Sequence, residues 1–362
     1  MYPLEGIRIL DLTNLLPGPF STMIFSYLGA EVIKIERPID GDLDRHKIPG
    51  LFEAVNCGKK SVELDLEDEL DKEVLRNLIK GCDVLIEGFR PGVMKKLGFD
   101  KKDVQQWNAS IIYCSISGYG QDGPYSLLPG HDLNYLAVSG VLSISGDPKG
   151  GPEAAGGIQI ADLASSLYAT ISILAALLQR TKKQDSVYID VSTVESTLAL
   201  MIPRIAEYYG RNEPSKDEFM GRGAYGTFKT KDNEYIAIAC VEEKFWEKLC
   251  ETIGMKEFLL DGMFSSWVQR MENAEIINDR IASILAKKTL AEWMTVFANE
   301  DLAISPVNSI KDLVNDPHLK YRRSIIKTEK NVKVSYPAKF ENLAIKQDDH
   351  APQLGEHNYL FK

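Results

Sequence analysis

Five histidines, His46, His131, His318, His350 and His357, are spread over 362 residues. No two have the i, i+4 spacing that turns a pair of imidazoles toward one metal ion, and none has a cysteine beside it, so no metal centre is expected. GxSxG and GxxxxGK[ST] loops are absent, which leaves serine-hydrolase and phosphoryl-transfer chemistry without a carrier. One histidine stands apart. Gly130-His131-Asp132-Leu133-Asn134-Tyr135 follows Pro129 and precedes the apolar stretch Leu136 to Leu142, so His131 lies where a turn enters a helix. An imidazole there could accept or return a proton near neutral pH. The same pattern fits Asp132 as an ordinary helix cap with His131 as a surface neighbour. Asp162 poses a similar choice at the head of a long apolar run: a cap favoured by the helix dipole, or a carboxylate placed for chemistry. Backbone N–H groups left open at that helix start would suit an anionic intermediate such as an enolate. Glu242 and Glu243 follow the strand ending at Ala239 and read as a solvated charged turn.

Elements that would position these residues alternate strand with helix. Ile7 to Leu12, Glu31 to Glu36, Val84 to Glu87, Ile111 to Ser115 and Val187 to Val191 read as strands. Helices are expected from the Pro17-Gly18-Pro19 turn to Leu28, over Leu70 to Leu78, and from Asp162 to about Gln179, where Arg180 to Gln184 closes the last with basic residues. This alternation implies a parallel sheet with helices on its faces, a Rossmann-like α/β domain. The first βα turn lacks GxGxxG, so a nicotinamide site is not implied. From about Gly221 the character changes to a hairpin, turning at Lys231-Asp232-Asn233, followed by amphipathic helices through Trp293 and Phe297. The expected organisation is a large domain over 1–200, completed by 320–362, and a small α+β domain over 220–315. Residues 201–219 and 316–319 are expected to link them, with the tail packing back on the large domain.

Composition narrows the function classes. The formal balance of 42 − 52 = −10 makes the chain a poor non-specific binder of nucleic acid or anionic membrane. Arg37, Lys59, Lys60, Arg90, Lys95 and Lys96 could still gather at one phosphate-binding edge, or be plain surface. Five cysteines without CxxC spacing fit a reducing compartment. No signal peptide is read at the start, and Leu167 to Leu178 is expected to be too short to span a bilayer. The last three residues, Leu360-Phe361-Lys362, give no peroxisomal address. Cytoplasm is the expected location.

Several segments in fixed order resemble the family III CoA-transferase (CaiB/BaiF) group. They are LEGIRILDLTNLLPGPFSTMIFSYLGAEVIKIERP, GKKSVELDL, DVLIEGFRPGVMKKLGF, SISGYGQDGPY and ISPVNSIKDLVNDPHL, reaching from about Leu4 to Arg322, with Gly355-Glu356-His357 echoing the family's end. Within that group, Gly130 to Tyr135 is similar to the GHDxNY segment of the α-methylacyl-CoA racemase branch. The resemblance implies His131 and Asp162 as the acid/base pair and Glu242 as the group that orients the histidine. It implies that CoA contacts Arg37, Leu64, Asp65, Leu66, Glu67, Arg90, Lys96 and the backbone of Gly130, His131, Asp132, Leu133, Asn134 and Tyr135. It further implies an interlocked homodimer in which Glu242 comes from the other chain, an acyl-CoA substrate and no cofactor.

The reaction so implied is racemisation of 2-methylacyl-CoA thioesters by two-base exchange of the α-proton through an enolate. Two other readings stay open: a CoA-transferase with Asp162 as nucleophile, and a non-catalytic partner subunit. Two departures from the family bear on the substrate. Cys57 stands where an arginine is common, and Asp162-Leu163-Ala164-Ser165-Ser166 is bulkier than the usual Gly-rich run, which would narrow the acyl pocket.

Overall fold

The structure is a computed structural model describing residues 1–154, 157–180, 182–183, 185–327, 332–348 and 350–361; Thr181, Gln184 and Lys362 of the sequence reading lie outside these. Two compact units divide the chain: 1–143 with 153–205 and 320–362, and 144–152 with 206–319.

In the first unit the order is β1 (Arg8–Leu12), α1 (Pro17–Tyr27), β2 (Glu31–Glu36), α2 (Asp44–Lys47), α3 (Pro49–Asn56), β3 (Lys60–Glu63), α4 (Glu69–Lys80) and β4 (Val84–Glu87). Then follow α5 (Val93–Lys96), α6 (Lys101–Trp107), β5 (Ile112–Ser117), α7 (Asp132–Val138), α8 (Ile160–Arg180), β6 (Val187–Ser192) and α9 (Thr193–Leu200). Six strands pair in parallel in the order β3-β2-β1-β4-β5-β6, the Rossmann-like sheet expected from the sequence. Apolar residues run almost unbroken through the central strands because both faces are covered. Ile9, Val32, Val84, Ile86 and Ile112 pack with Phe25 of α1 and Ala169 and Ile173 of α8. Leu10, Ile33, Val62 and Leu85 face the other way, toward Leu75 and Ile79 of α4 and Val104 of α6. Between β1 and β4 the direction of strand addition reverses. The crevice at the carboxyl ends of those two strands is where such sheets hold ligands.

Helix α8 is 21 residues long, starts two residues before the expected point, and is long and apolar enough to cross a membrane, contrary to the expectation of a span too short. Half of its apolar window is buried, against α1, β5, β6 and α9, as in the core helix of a globular unit. Its other face leaves Leu167, Tyr168, Ile171 and Leu178 exposed.

The sheet's β3 edge is covered by the tail. His357 N–H donates to Ser61 O (2.9 Å), Ser61 N–H to His357 Nδ1 (3.2 Å) and Glu63 N–H to Asn358 Oδ1 (2.9 Å). Those bonds occupy backbone groups that an edge strand would otherwise offer to another chain.

The second unit departs from the expected boundaries. Residues 201–219, expected as a linker, hold α10 (Ile202–Gly210) and α11 (Lys216–Met220). A capping box starts α11: Glu218 Oε2 accepts from Ser215 N–H and Oγ–H at 2.9 and 2.7 Å. Residues 317–319 of the other expected linker open the helix Pro317–Arg322. Segment 144–152, placed in the large domain by the sequence, belongs to this unit, where Lys216 Nζ donates to Ser145 O at 2.7 Å. The antiparallel strands β7 (Tyr225–Lys229), β8 (Tyr235–Ala239) and β9 (Ile304–Pro306) form its sheet, and Asn233 turns the β7–β8 hairpin at φ 64°. Helix α12 (Glu243–Ile253) buries Trp246 and Leu249 against Ile277, Ile281 and Trp293.

Candidate active site

The α7–α8 junction decides what His131 and Asp162 are free to do. His131 is itself the N-cap of α7, with extended backbone, and its N–H donates to Asn134 Oδ1 at 3.0 Å. Asp132, expected as that cap, is the first helical residue and turns its carboxylate to the other helix. Its Oδ1 accepts the N–H groups of Ala161 (2.8 Å) and Asp162 (3.2 Å). Asp162 is therefore not a cap either: it stands two residues inside α8. The N–H groups of Ile160 and Leu163 go to Ile158 O and Gln159 O. The start of α8 thus offers no open donors to an enolate, which corrects the sequence expectation. Capping has been delegated to Asp132, and the Asp162 carboxyl is left for the cavity.

That cavity, of about 640 Å³, opens at the reversal point of the sheet. Thr13 to Leu15, Pro17 and Gly18 after β1, Gly88 to Pro91 after β4, and Ile116 to Gly118 at the end of β5 form its floor. His131, Asn134, Tyr135 and Asp162 close one side. Burial pushes the Asp162 carboxyl up to about 7, and the negative charge of Asp132 adds to the rise. Tyr135 fixes the histidine's approach. Its hydroxyl donates to Gly130 O (2.7 Å), its ring meets Tyr119 edge-on at 5.3 Å, and burial raises it to about 12. Glycine at 118 and 130 makes room for that ring, since a Cβ would come within 2.5 and 2.7 Å of it.

A second cavity, of about 450 Å³, lies at the carboxyl ends of β1, β2 and β3. Arg37, Leu64, Asp65, Leu66 and Glu67, five residues expected to contact CoA, line it together with Gly41, Leu43 and Leu97. Asn14 and Phe89 line both cavities. Sequence reasoning missed these two, although both follow strands that flank the reversal point. Arg90 lines the first cavity, as do Gly130, His131, Asn134 and Tyr135, whereas Asp132 and Leu133 do not.

Other expected positions fall elsewhere. Lys96 ends α5 on the surface and lines neither cavity. Lys59 is 3% exposed and its Nζ bonds Asp11, Thr22, Asn56 and Pro19 O, while Lys60 pairs with Glu31. The six basic residues therefore do not form one phosphate-binding edge. Cys57 is buried at the end of α3, outside both linings. In the 162–166 run only Asp162 reaches the cavity, because Ala164, Ser165 and Ser166 are buried away from it; the run does not narrow the pocket. Glu242 lies in the second unit as the exposed N-cap of α12. Its neighbour Glu243 pairs at 2.9 Å with Arg270, a cation only 1% exposed.

Residues 4–358 match the sequence profile of CoA-transferase family III. The chain belongs to that family. Relatives of both chemistries are similar to it. Human alpha-methylacyl-CoA racemase is 34% identical over 98% of this chain and 91% of its own length. Mouse succinyl-CoA:glutarate CoA-transferase is 32% identical, covering 99% of this chain and 85% of its own. Acetyl-CoA:oxalate CoA-transferase of Acetobacter aceti is 31% identical over 99% and 95%. Among solved structures, a CaiB/BaiF family protein from Brucella suis superposes with a TM-score of 0.88 at 28% identity, over 99% of this chain and 98% of that one.

Proposed function

We propose that this family III protein is an acyl-CoA racemase that exchanges the α-proton of a 2-methylacyl-CoA. The observation that carries the reading is the pairing of His131 and Asp162 on one cavity, with the carboxyl raised to about 7. A thioester carbonyl acidifies the carbon beside it, so the reaction needs two acid/base groups and no metal or redox cofactor. In one direction Asp162 takes the proton from the α-carbon and the His131 imidazolium returns one to the opposite face; in the other direction the roles reverse. A carboxyl near 7 serves as base and as acid with little penalty either way. The enolate oxygen requires donors. Arg90 lines the cavity, and Asn134, whose Oδ1 is engaged by His131 N–H, keeps its amide hydrogens. The nucleotide of CoA fits the second cavity, with Arg37 meeting phosphate, and its arm crosses Asn14 and Phe89 to the reacting carbon.

The working assembly in this reading is an interlocked homodimer, with Glu242 reaching His131 from the other copy. Exposed Leu167, Ile171 and Leu178 on α8, Leu198 and Leu200 on α9, and Ile202 support a covered apolar face.

Transferase relatives favour a second reading, in which an Asp162 oxygen attacks the thioester carbonyl, expels CoA as thiolate and forms an acyl anhydride. Proton NMR of a 2-methylacyl-CoA incubated with the protein in D₂O separates the two. The racemase is expected to erase the α-proton signal without any added acceptor. His131→Ala and Asp162→Ala are each expected to slow exchange from one epimer more than from the other. No exchange, with CoA moving to an added carboxylate, would establish the transferase instead.

A further inference from the structure

Beneath the two cavities lie four charges that the reaction does not use. Asp11, Lys34 and Asp42 are 0% exposed and Lys59 is 3% exposed. They pair as Lys34 Nζ to Asp42 Oδ2 (2.9 Å) and Lys59 Nζ to Asp11 Oδ2 (3.2 Å). Burial alone would lower Lys34, but Asp11, Asp42 and Glu36 raise it above the ordinary lysine value, so its charge persists. Dry ion pairs are costly to bury, and an apolar pair of similar volume commonly serves a core as well or better. Their presence calls for a role other than stability.

We propose that Lys34 and Asp42 are positioning residues, whose ion pair holds the β1–α1 loop in the shape that makes Asn14 a wall of both cavities. The loop is pinned on either side of Asn14. Before it, Thr13 N–H and hydroxyl donate to Asp11 Oδ1, and Thr13 O accepts from Lys34 Nζ at 2.8 Å. After it, Leu15 N–H donates to Asp42 Oδ1 at 3.2 Å. Leu15 has φ 64°, a left-handed conformation that a leucine keeps only when its surroundings impose it. Asp42 in turn belongs to the loop that carries Gly41 and Leu43 into the second cavity. Its own N–H is anchored on Glu36 Oε2 (3.0 Å), and Glu36 is clamped by Arg45 (2.7 Å) and Ser61 (2.6 Å). One ion pair therefore ties the loop lining the chemistry to the loop lining the second cavity. The consequence for ligand rests on the CoA reading above; the pinning itself does not.

The full-length chain carrying Lys34→Met with Asp42→Leu tests this, because an apolar pair preserves the fold while removing the acceptor for Leu15. Thermal midpoint is expected to be unchanged or higher. Hydrogen exchange at the Leu15 amide is expected to be at least tenfold faster, against slow exchange in the unaltered protein. CoA affinity is expected to fall about tenfold, and that of 3′-phosphoadenosine 5′-diphosphate, which in this reading meets the Asn14 wall only from the second cavity, to fall by less. Asp42→Ala, whose backbone anchor on Glu36 remains while the acceptor for Leu15 is lost, gives the same readouts if the double variant does not fold. Fast exchange at Leu15 in the unaltered protein, slow exchange in the variants, or equal losses for both ligands would overturn the proposal. Failure of the unaltered protein to bind CoA would instead remove the functional reading, with the exchange measurement still deciding the pinning.

Discussion

Asp162 is a carboxyl whose ionisation works against the fold and, in the proposed reaction, for the chemistry. Its folded value, about 7, lies above the ordinary carboxylate range, with burial as the main cause and Asp132 as the second. The stabilisation that goes with its protonated form is complete below about pH 4 and is lost as pH rises through about 7. Asp162→Asn, which cannot ionise, is thus expected to melt a few degrees higher than the unaltered protein at pH 8 and no higher at pH 4, while losing activity; thermal melts at both pH values check it. For the proposed racemase, one proton must be shared by His131 and Asp162. The kcat/KM profile is expected to be bell-shaped and to superimpose for the two epimers. Asp132→Asn keeps an acceptor for the Ala161 and Asp162 N–H groups but removes the charge that raises Asp162. Its acid limb is expected to move to lower pH, and an unmoved limb would show that burial alone sets the value. His131 and Asp162 were both legible as candidates in the sequence because each stood beside a helix start. Asn14 and Phe89 were not, because being a wall between two cavities is a property of strand order, which no local segment carries.

Elements place these groups through contacts a few ångströms wide. Tyr135 holds the Gly130–His131 turn only because Gly118, just after β5, leaves space for its ring. Gly118→Ala is expected to push that ring off Gly130 O, costing about 1–3 kcal/mol as overpacking does and lowering kcat more than it raises KM; steady-state kinetics beside a urea melt would read both. The sequence announced the strands that became β1, β2, β4 and β5, since fully covered strands are apolar runs, and β6, an edge strand whose Val187, Ile189 and Val191 still mark it. It did not announce β3, four residues with Lys60 and Glu63 at its ends, because an edge strand needs little apolar surface. It also assigned the caps of α7 and α8 each to its own helix. The actual cap of α8 lies 29 positions away at Asp132, a long-range bond that propensity cannot foresee.

At the scale of the whole molecule, the proposed dimer has its own test. With His131 from one chain and Glu242 from the other at each site, inactive His131→Ala and Glu242→Ala chains complement each other. A hybrid dimer carries one site with both changes and one with neither. Random mixing of the two chains by co-refolding is expected to restore roughly a quarter of the unaltered activity, whereas sites built within one chain would restore none. The tail over β3 has a consequence of another kind. His357 and Asn358 are made after all of the second unit, yet they bond Ser61 and Glu63 near the start of the chain. On the ribosome the parallel sheet must therefore wait with its β3 flank bare while some three hundred residues emerge. The 206–319 segment, which carries its own apolar core, is free to fold in that interval. Completion of that edge is in this way deferred until His357 and Asn358 are made, and a ribosome stalled before residue 350 would display an unfinished edge to every nascent neighbour.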